Sequence, residues 1–398
     1  MKNVKMGAFV EKDNMKKNRK IIYYAHYARP REKACYDNSS PAACAMIEYL
    51  SETIENCDER LEILSAAITY SESSLKYKTQ KLRNKTTIHY SPVVLQKNRF
   101  MQKLSIILQL CFHFFWLMFN LKKGDILLVY HSREIEDLVS IIKCLKKNKL
   151  ILQVAEIYSD VDHNLKSKNK ELKYFKKADA LILQTKELDA IINKNHCPSV
   201  VVNGIYKPQI NLVESNKKDF QMIHCVYAGT LNSEKHGAQN AILSSKHLPN
   251  NYHIHIVGFG TKDEILEVNK LIESCSNVDN ATITYDGCLN GESFFRFLGK
   301  CDIGLSTQDP NGDFNATSFP SKILTYLCCG LRVVCVRIPV VENSDISHLI
   351  NFYEGNTPEN IAKVISNVNF ESQYNVMDKI GDLNIEFFNK MKEMLREI

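Results

Sequence analysis

The chain has 398 residues, 44% of them hydrophobic and 24% charged, with 15 Gly, 10 Pro and a formal net charge of +6. That composition excludes a disordered, collagen-like or disulfide-stapled protein. Single hydrophobic cores stop growing near about 250–300 residues, so the length predicts two domains.

Charge divides along the chain. Residues 1–200 carry 34 Lys and Arg against 22 Asp and Glu, a net of +12, whereas residues 201–398 carry 17 against 23, a net of −6. Such asymmetry suggests that the first half meets a polyanion, either nucleic acid or an anionic membrane surface; solvated lysines are the plainer reading. The 13 cysteines show no C-x-x-C spacing, and only Cys328 and Cys329 are neighbours. Neither a zinc site nor a disulfide framework is suggested. Cys225 and Cys335 sit in apolar runs, where a thiol behaves as a small hydrophobe, and a reducing cytosol fits.

In chain order, residues 1–19 form a Lys-rich extension with too little apolar length for a signal peptide. Strands are predicted at 20–25, 61–69, 125–130, 150–154, 180–184 and 200–203, with helices between them, which is the signature of βαβ units. The longest apolar run, 104–119, is shorter than the roughly 20 residues of a spanning helix and carries Gln109 and His113. A buried core helix is one reading. A helix lying in a membrane interface is the other, because Arg99, Lys103, Lys122 and Lys123 flank the run.

A polar stretch, 205–219, reads as a linker. The alternation restarts with strands at 222–227, 253–257, 282–285, 302–306 and 332–336, and residues 373–398 form one or two closing helices. The expected fold class is therefore α/β, with two doubly wound, Rossmann-like parallel-sheet domains at 20–204 and 220–372 facing across a cleft. Open α/β sheets bind ligands beyond the carboxyl ends of their strands, so the loops there are the candidate sites.

Three such loops stand in the second half. In the first, Gly229 allows a tight turn, Thr230 offers a hydroxyl, and Lys235 precedes a helix. The second is Gly258-Phe-Gly260, which lacks the third glycine and the following acid of a dinucleotide fingerprint, so no nicotinamide cofactor is indicated. The third begins with a loop, 307–316, that looks mobile. Ser318 is expected to cap a helix whose first turn holds Pro320, Ser321 and Lys322, with Gly330 ending it. Its free N–H groups and Lys322 would suit a pyrophosphate, with Thr325 on the same face.

The spacing of Gly229-Thr-Leu, Gly258-Phe-Gly, Tyr285-Asp-Gly-Cys-Leu289 and Phe319-Pro-Ser-Lys322 followed by Gly330-Leu-Arg-Val-Val resembles the nucleotide-sugar domain of GT-B glycosyltransferases, specifically the group 1, or family 4, enzymes. The resemblance covers about residues 222–338. It implies that the loop of Gly229 and Lys235, together with Lys322, holds a donor diphosphate, and that Gly287, Cys288 and Leu289 meet the nucleobase. The family's Glu-x7-Glu pair falls on Thr317 and Thr325 here, and its usual arginine on Thr230. Both carboxylates are missing, which puts ribose recognition in question and raises a second reading: a non-catalytic GT-B protein acting as a partner subunit.

Transfer of a sugar from a nucleotide needs charge stabilisation for the departing diphosphate and a route for the acceptor's proton. Lys235 and Lys322 could supply the first without a metal. The chain's one Asp-x-Asp, Asp160-Val-Asp162, would suit a metal-dependent transferase of another fold class, against which two doubly wound halves argue. On the acceptor side, His26, Asn38 and Ser39, His131 and Glu156 follow first-half strands or turns. His131 is placed like a sugar-contacting histidine of the family, and Glu156 is the best-placed base. The expected partners are a nucleotide-sugar donor, a glycan or lipid-linked acceptor of cell-surface polysaccharide synthesis, and an anionic membrane surface at a cytoplasmic, peripheral location. The basic half lacks a nucleic-acid recognition motif.

Overall fold

The computed structural model describes residues 19–28, 40–66, 76–93, 99–161, 165–209, 221–232, 236–371 and 375–398. They form two compact units. The first holds the described residues up to Gln184, Leu188–Val202 and Phe387–Ile398; the second holds Thr185–Glu187 and Asn203–Glu386.

The first unit is an eight-stranded sheet ordered β3-β4-β2-β1-β5-β6-β7-β8, parallel except for β3. Its strands are β1 (Lys20–Ala25), β2 (Arg60–Ser65), β3 (Lys78–Lys81), β4 (Thr86–Tyr90), β5 (Ile126–Tyr130), β6 (Lys149–Val154), β7 (Ala180–Leu183) and β8 (Ser199–Val201). The central strands read as continuous apolar runs because helices cover both faces of a parallel sheet. Sequence reading missed β3 and β4. Strand β3 is Lys-Thr-Gln-Lys, largely exposed, a charged edge with no apolar signal that also blocks edge-to-edge pairing. The strand expected at 61–69 stops at Ser65, and residues 67–75 lie outside those described.

The helices of this unit are α1 (Pro41–Asn56), α2 (Arg99–Asn120), α3 (Glu136–Lys146), α4 (Tyr158–Val161) and α5 (Leu165–Phe175), with α6 (Lys186–Ile192) straddling the division. Ser40 caps α1 ahead of Pro41, accepting a hydrogen bond from the Ala43 N–H, and proline suits the first helical position because its missing N–H would have no partner there. Helix α2 extends five residues further toward the N-terminus than the apolar run. It buries Ser105, Gln109, His113, Trp116 and Leu117, so three of its polar side chains face inward. His113 Nδ1 lies 2.9 Å from the Tyr24 hydroxyl, and burial pushes the imidazole pKa down to about 3.

The second unit is a six-stranded, wholly parallel sheet ordered β11-β10-β9-β12-β13-β14. Its strands are β9 (Ile223–Thr230), β10 (Tyr252–Phe259), β11 (Thr282–Gly287), β12 (Ile303–Ser306), β13 (Arg332–Val336) and β14 (Ile350–Tyr353). The short edge strand β14 is the one missed from sequence. Its helices are α7 (Gly237–Ser244), α8 (Lys262–Cys275), α9 (Gly291–Leu298), α10 (Lys322–Cys328), α11 (Pro339–Glu342) and α12 (Pro358–Ser366).

Two boundaries differ from expectation. Residues 205–209 belong to the second unit: Tyr206 is buried and the Gln209 N–H donates to the Cys328 carbonyl at 2.8 Å. The rest of the expected linker lies outside the described residues. The closing segment is one helix, α13 (Val376–Glu397), whose last turns are part of the first unit. Phe387 stacks on Tyr49 at 5.5 Å, Met391 and Leu395 are buried, and Arg19 donates to the Leu395 carbonyl at 2.5 Å. The cysteines among the described residues are all free thiols.

Candidate functional site

In the second unit the chain leaves β9 in two directions, to β10 and β11 on one side and to β12, β13 and β14 on the other. The crevice beyond the carboxyl ends of β9 and β12 is therefore a topological switch point, where doubly wound sheets bind ligands. Three glycines shape it. A Cβ on Gly258 would stand 1.9 Å from the Gly229 carbonyl oxygen, so the ends of β9 and β10 approach more closely than any other residue allows. A Cβ on Gly304 would stand 2.3 Å from the Tyr326 ring. That ring spans the strands: the Ala228 N–H donates to the Tyr326 hydroxyl at 2.7 Å, and the hydroxyl donates to the Leu305 carbonyl at 3.3 Å.

Tyr326 thereby fixes α10, and α10 fixes Lys322. The Lys322 Nζ lies 3.8 Å from the centroid of the Tyr227 ring and 3.0 Å from the position a Cβ would take on Gly229. Among the described residues it has no salt-bridge carboxylate. Burial of the ammonium pushes its pKa down to about 7, because desolvation disfavours the charged form. A half-buried lysine whose ammonium is desolvated beside Gly229 is chemically prepared for an anion.

Helix α10 starts later than its sequence suggests. The N-cap is Ser321, without a side-chain cap bond, so Ser318 and Pro320 stand outside the helix. Its seven residues make fewer than two turns, so Lys322 carries the positive charge here and not the helix dipole. Its end is as expected: Gly330 adopts φ +78°, with the Leu331 N–H donating to the Tyr326 carbonyl at 3.1 Å and the Gly330 N–H to Leu327 at 3.0 Å, a Schellman ending.

The other second-half candidates fall as follows. Thr230 ends β9, exposed, its carbonyl accepting from the Tyr227 hydroxyl at 3.0 Å. Lys235 lies outside the described residues. Gly287 ends β11 at φ +78°, followed by exposed Cys288 and half-buried Leu289. The Tyr285 hydroxyl ties this strand to the Gly258 carbonyl at 3.1 Å. Thr317 is buried, and its carbonyl accepts from the Thr185 hydroxyl at 3.0 Å. The Thr325 hydroxyl turns back to the Ser321 carbonyl at 3.3 Å. In the loop 307–316 the Thr307 hydroxyl donates to the Gly237 carbonyl at 2.6 Å, and buried Asn315 donates to the Asp309 carbonyl at 2.7 Å.

In the first unit, the switch point between β1 and β5 carries a hollow of about 300 Å³ lined by His26, Ser40, Tyr130, Arg133, Glu134 and Tyr158. Burial lowers the His26 pKa, opposed by Glu134, whose carboxylate lies 3.7 Å from Nε2. The Tyr130 and Tyr158 hydroxyls are hydrogen-bonded to each other. Burial and the charge of neighbouring Glu156 raise the Tyr130 pKa to about 12. Glu156 is thus near the tyrosine pair, although it is not among the residues that line the hollow. His131 does not line it. It points into the core, 1% exposed, with Nε2 3.2 Å from Glu136 and 3.5 Å from Glu171. Asn38 and Ser39 lie outside the described residues.

Two groups among the described residues could hold a metal ion: His131, Glu136 and Glu171, and His224, His253 and His255. The former carboxylates are engaged, Glu171 accepting from the Tyr158 and Ser159 N–H groups. The histidines sit low on β9 and β10, away from the carboxyl ends, where His224 meets His255 at 3.0 Å and His255 meets Asp286 at 3.1 Å. Asp160 of the Asp-x-Asp pairs with Lys168 at 2.5 Å, and Asp162 lies outside the described residues.

No protein-family model and no curated protein matches the sequence at a significant level. Solved structures do match. An Escherichia coli trehalose-6-phosphate protein bound with UDP-2-fluoroglucose superposes with a TM-score of 0.68 at 10% identity, over 95% of this chain and 99% of that one. An α,α-trehalose-phosphate synthase (UDP-forming) from Burkholderia xenovorans, solved with glucose-6-phosphate, gives 0.66 at 12% identity, over 96% and 98%. A sucrose-phosphate synthase from Thermosynechococcus elongatus gives 0.68 at 8% identity, over 95% and 99%. With two doubly wound sheets in series and this likeness along nearly its whole length, the chain has the GT-B fold of the glycosyltransferases.

Proposed function

We propose that the protein is a glycosyltransferase that moves a sugar from a nucleoside-diphosphate sugar to a glycan or lipid-linked acceptor. One observation carries the reading: the desolvated Lys322 ammonium set against Gly229 at the switch point of the second sheet. A diphosphate seated over Gly229 would meet that cation, which is where leaving-group charge develops in the transition state. The structural neighbours solved with UDP-2-fluoroglucose or named as UDP-forming synthases agree in chemistry. Gly258 lets the neighbouring strand end approach, and Gly287, Cys288 and Leu289 are the segment offered to the nucleobase.

The acceptor is assigned to the hollow of the first unit, with Glu156 as the base that takes its hydroxyl proton and His26 and Arg133 as polar contacts. His131 supports this hollow from beneath, holding Glu136 and Glu171 in the core, and is a positioning residue. Lys322 supplies the charge that metal-dependent transferases draw from an ion, so turnover is expected to persist in EDTA.

Thr317 and Thr325, standing where the family carries glutamates, favour a second reading, that of a non-catalytic partner subunit. A thermal-shift screen against UDP, GDP, CMP and dTDP sugars, followed by nucleotide release with Lys322→Ala as control, separates the two. Stabilisation with Lys322-dependent release supports the transferase. Stabilisation without release, or no stabilisation by any of them, overturns the transferase and leaves the partner subunit.

A further inference from the structure

We infer that helix α2 is a docking face for an anionic lipid bilayer, on which it lies parallel to the surface. Helix packing ordinarily buries the apolar stripe and exposes the polar one; α2 instead buries a polar stripe beside Trp116 and Leu117 and leaves a second apolar stripe exposed. Ser105, Gln109 and His113 recur at four-residue spacing and face the sheet, continued by Trp116 and Leu117. The opposite stripe carries Phe100, Leu104, Ile107, Leu108, Phe115 and Phe119, with Phe100 72% and Phe119 79% exposed. Exposed Ile141 and Leu145 on neighbouring α3 widen it, and Lys146 ties α3 to α2 through the Met118 carbonyl at 2.9 Å. A contiguous apolar stripe of this length on a folded surface marks an interaction site.

Charge chooses the occupant. The 22 residues of α2 include no Asp or Glu, and exposed Arg99 and Lys103 stand at one end with exposed Lys122 and Lys123 just past the other. Aromatic and aliphatic side chains between basic ends match the acyl boundary and headgroups of an anionic leaflet. The helix is long and apolar enough to cross a membrane. Crossing would, however, strip His113 from Tyr24 and pull Trp116 from the core. Lying flat keeps both contacts.

The test is co-sedimentation of the whole protein with phosphatidylcholine vesicles and with vesicles containing 30% phosphatidylglycerol, at about 0.1 and 0.5 M NaCl. The expected result is binding to anionic vesicles only, weakened by salt. Phe115→Ser/Phe119→Ser should lower the partition coefficient by at least about tenfold, and Lys122→Glu/Lys123→Glu by a comparable factor. Both pairs are exposed, so melting temperatures should stay at the wild-type value, and a circular-dichroism melt verifies this. Absence of vesicle binding, or binding unchanged in both variants, overturns the inference. So does a wild-type dimer that Phe115→Ser/Phe119→Ser converts to a monomer, because a second copy would then cover the face. Nucleotide-sugar binding is read separately and does not enter the outcome.

Discussion

Lys322 and Gly229, 93 residues apart in the chain, are fitted to each other: the lysine Nζ stands 3.0 Å from the Cβ that any other residue would add at 229. The glycine leaves room for the ammonium head, and the Tyr227 ring supports that head from another side.

Gly229→Ala should therefore displace the ammonium without unfolding the protein. Calorimetric titration with the cognate nucleoside diphosphate is expected to show binding weaker by about tenfold or more, the loss of a charged contact, with a nearly unchanged melting temperature. Gly258→Ala makes the contrast. Its Cβ would meet the Gly229 carbonyl at 1.9 Å, backbone against side chain, and should cost about 1–3 kcal/mol of stability as strain.

Diphosphate binding should depend on pH through Lys322. With its pKa near 7 in the free protein, the lysine must take up a proton to meet an anion once the pH exceeds that value. Affinity is expected to fall by up to about tenfold per pH unit above 7, and binding at pH 8 should be accompanied by proton uptake. Titrations in buffers of different ionisation enthalpy measure that uptake directly.

Lys322 also carries a stability cost. Its folded pKa lies below its unfolded value of 10.5, so the unfolded chain holds more protons between pH 7 and 10.5 and the folded state gains stability as pH rises through that window. Lys322→Met should remove the slope and stabilise the second unit at pH 7 by about 1 kcal/mol or more, while abolishing donor binding. Urea unfolding at pH 7 and 9 checks both signs.

His113 acts in the acid range. Its folded pKa is near 3 against an ordinary 6.5, so the unfolded state binds the extra proton below pH 6.5 and stability falls as pH drops toward 3. His113→Met should flatten that acid loss and leave neutral-pH stability lower by about 1–2 kcal/mol, because the Tyr24 hydroxyl loses its partner. Urea melts at pH 7 and 4.5 compare the two proteins.

The sequence made the two parallel sheets legible because their central strands are long apolar runs, and it located Lys322 and the glycine loops because strand ends followed by Gly or a Phe-Pro-Ser-Lys segment stand out. The charged edge strand β3 carries no periodic signal. Tyr326 was invisible because nothing local distinguishes a tyrosine whose hydroxyl bridges two strands from any other core aromatic. Reading alone placed His131 on the surface of a site, since position after a strand does not tell which way a side chain turns. Its neighbours Tyr130 and Arg133 reach the hollow, whereas His131 turns inward. Helix α2 departs from the pattern rule, for it buries a polar stripe.

The last turns of α13 complete the first unit, with Phe387 on Tyr49 and Leu395 held by Arg19. During synthesis the first unit must therefore wait, partly uncovered, until Phe387 to Leu395 have left the ribosome. Its folding cannot finish ahead of the second unit's translation, as that of a sequential domain would. A chain cut after Val202 would leave Tyr49 bare, and a peptide spanning Phe387–Ile398 supplied separately would be its natural complement.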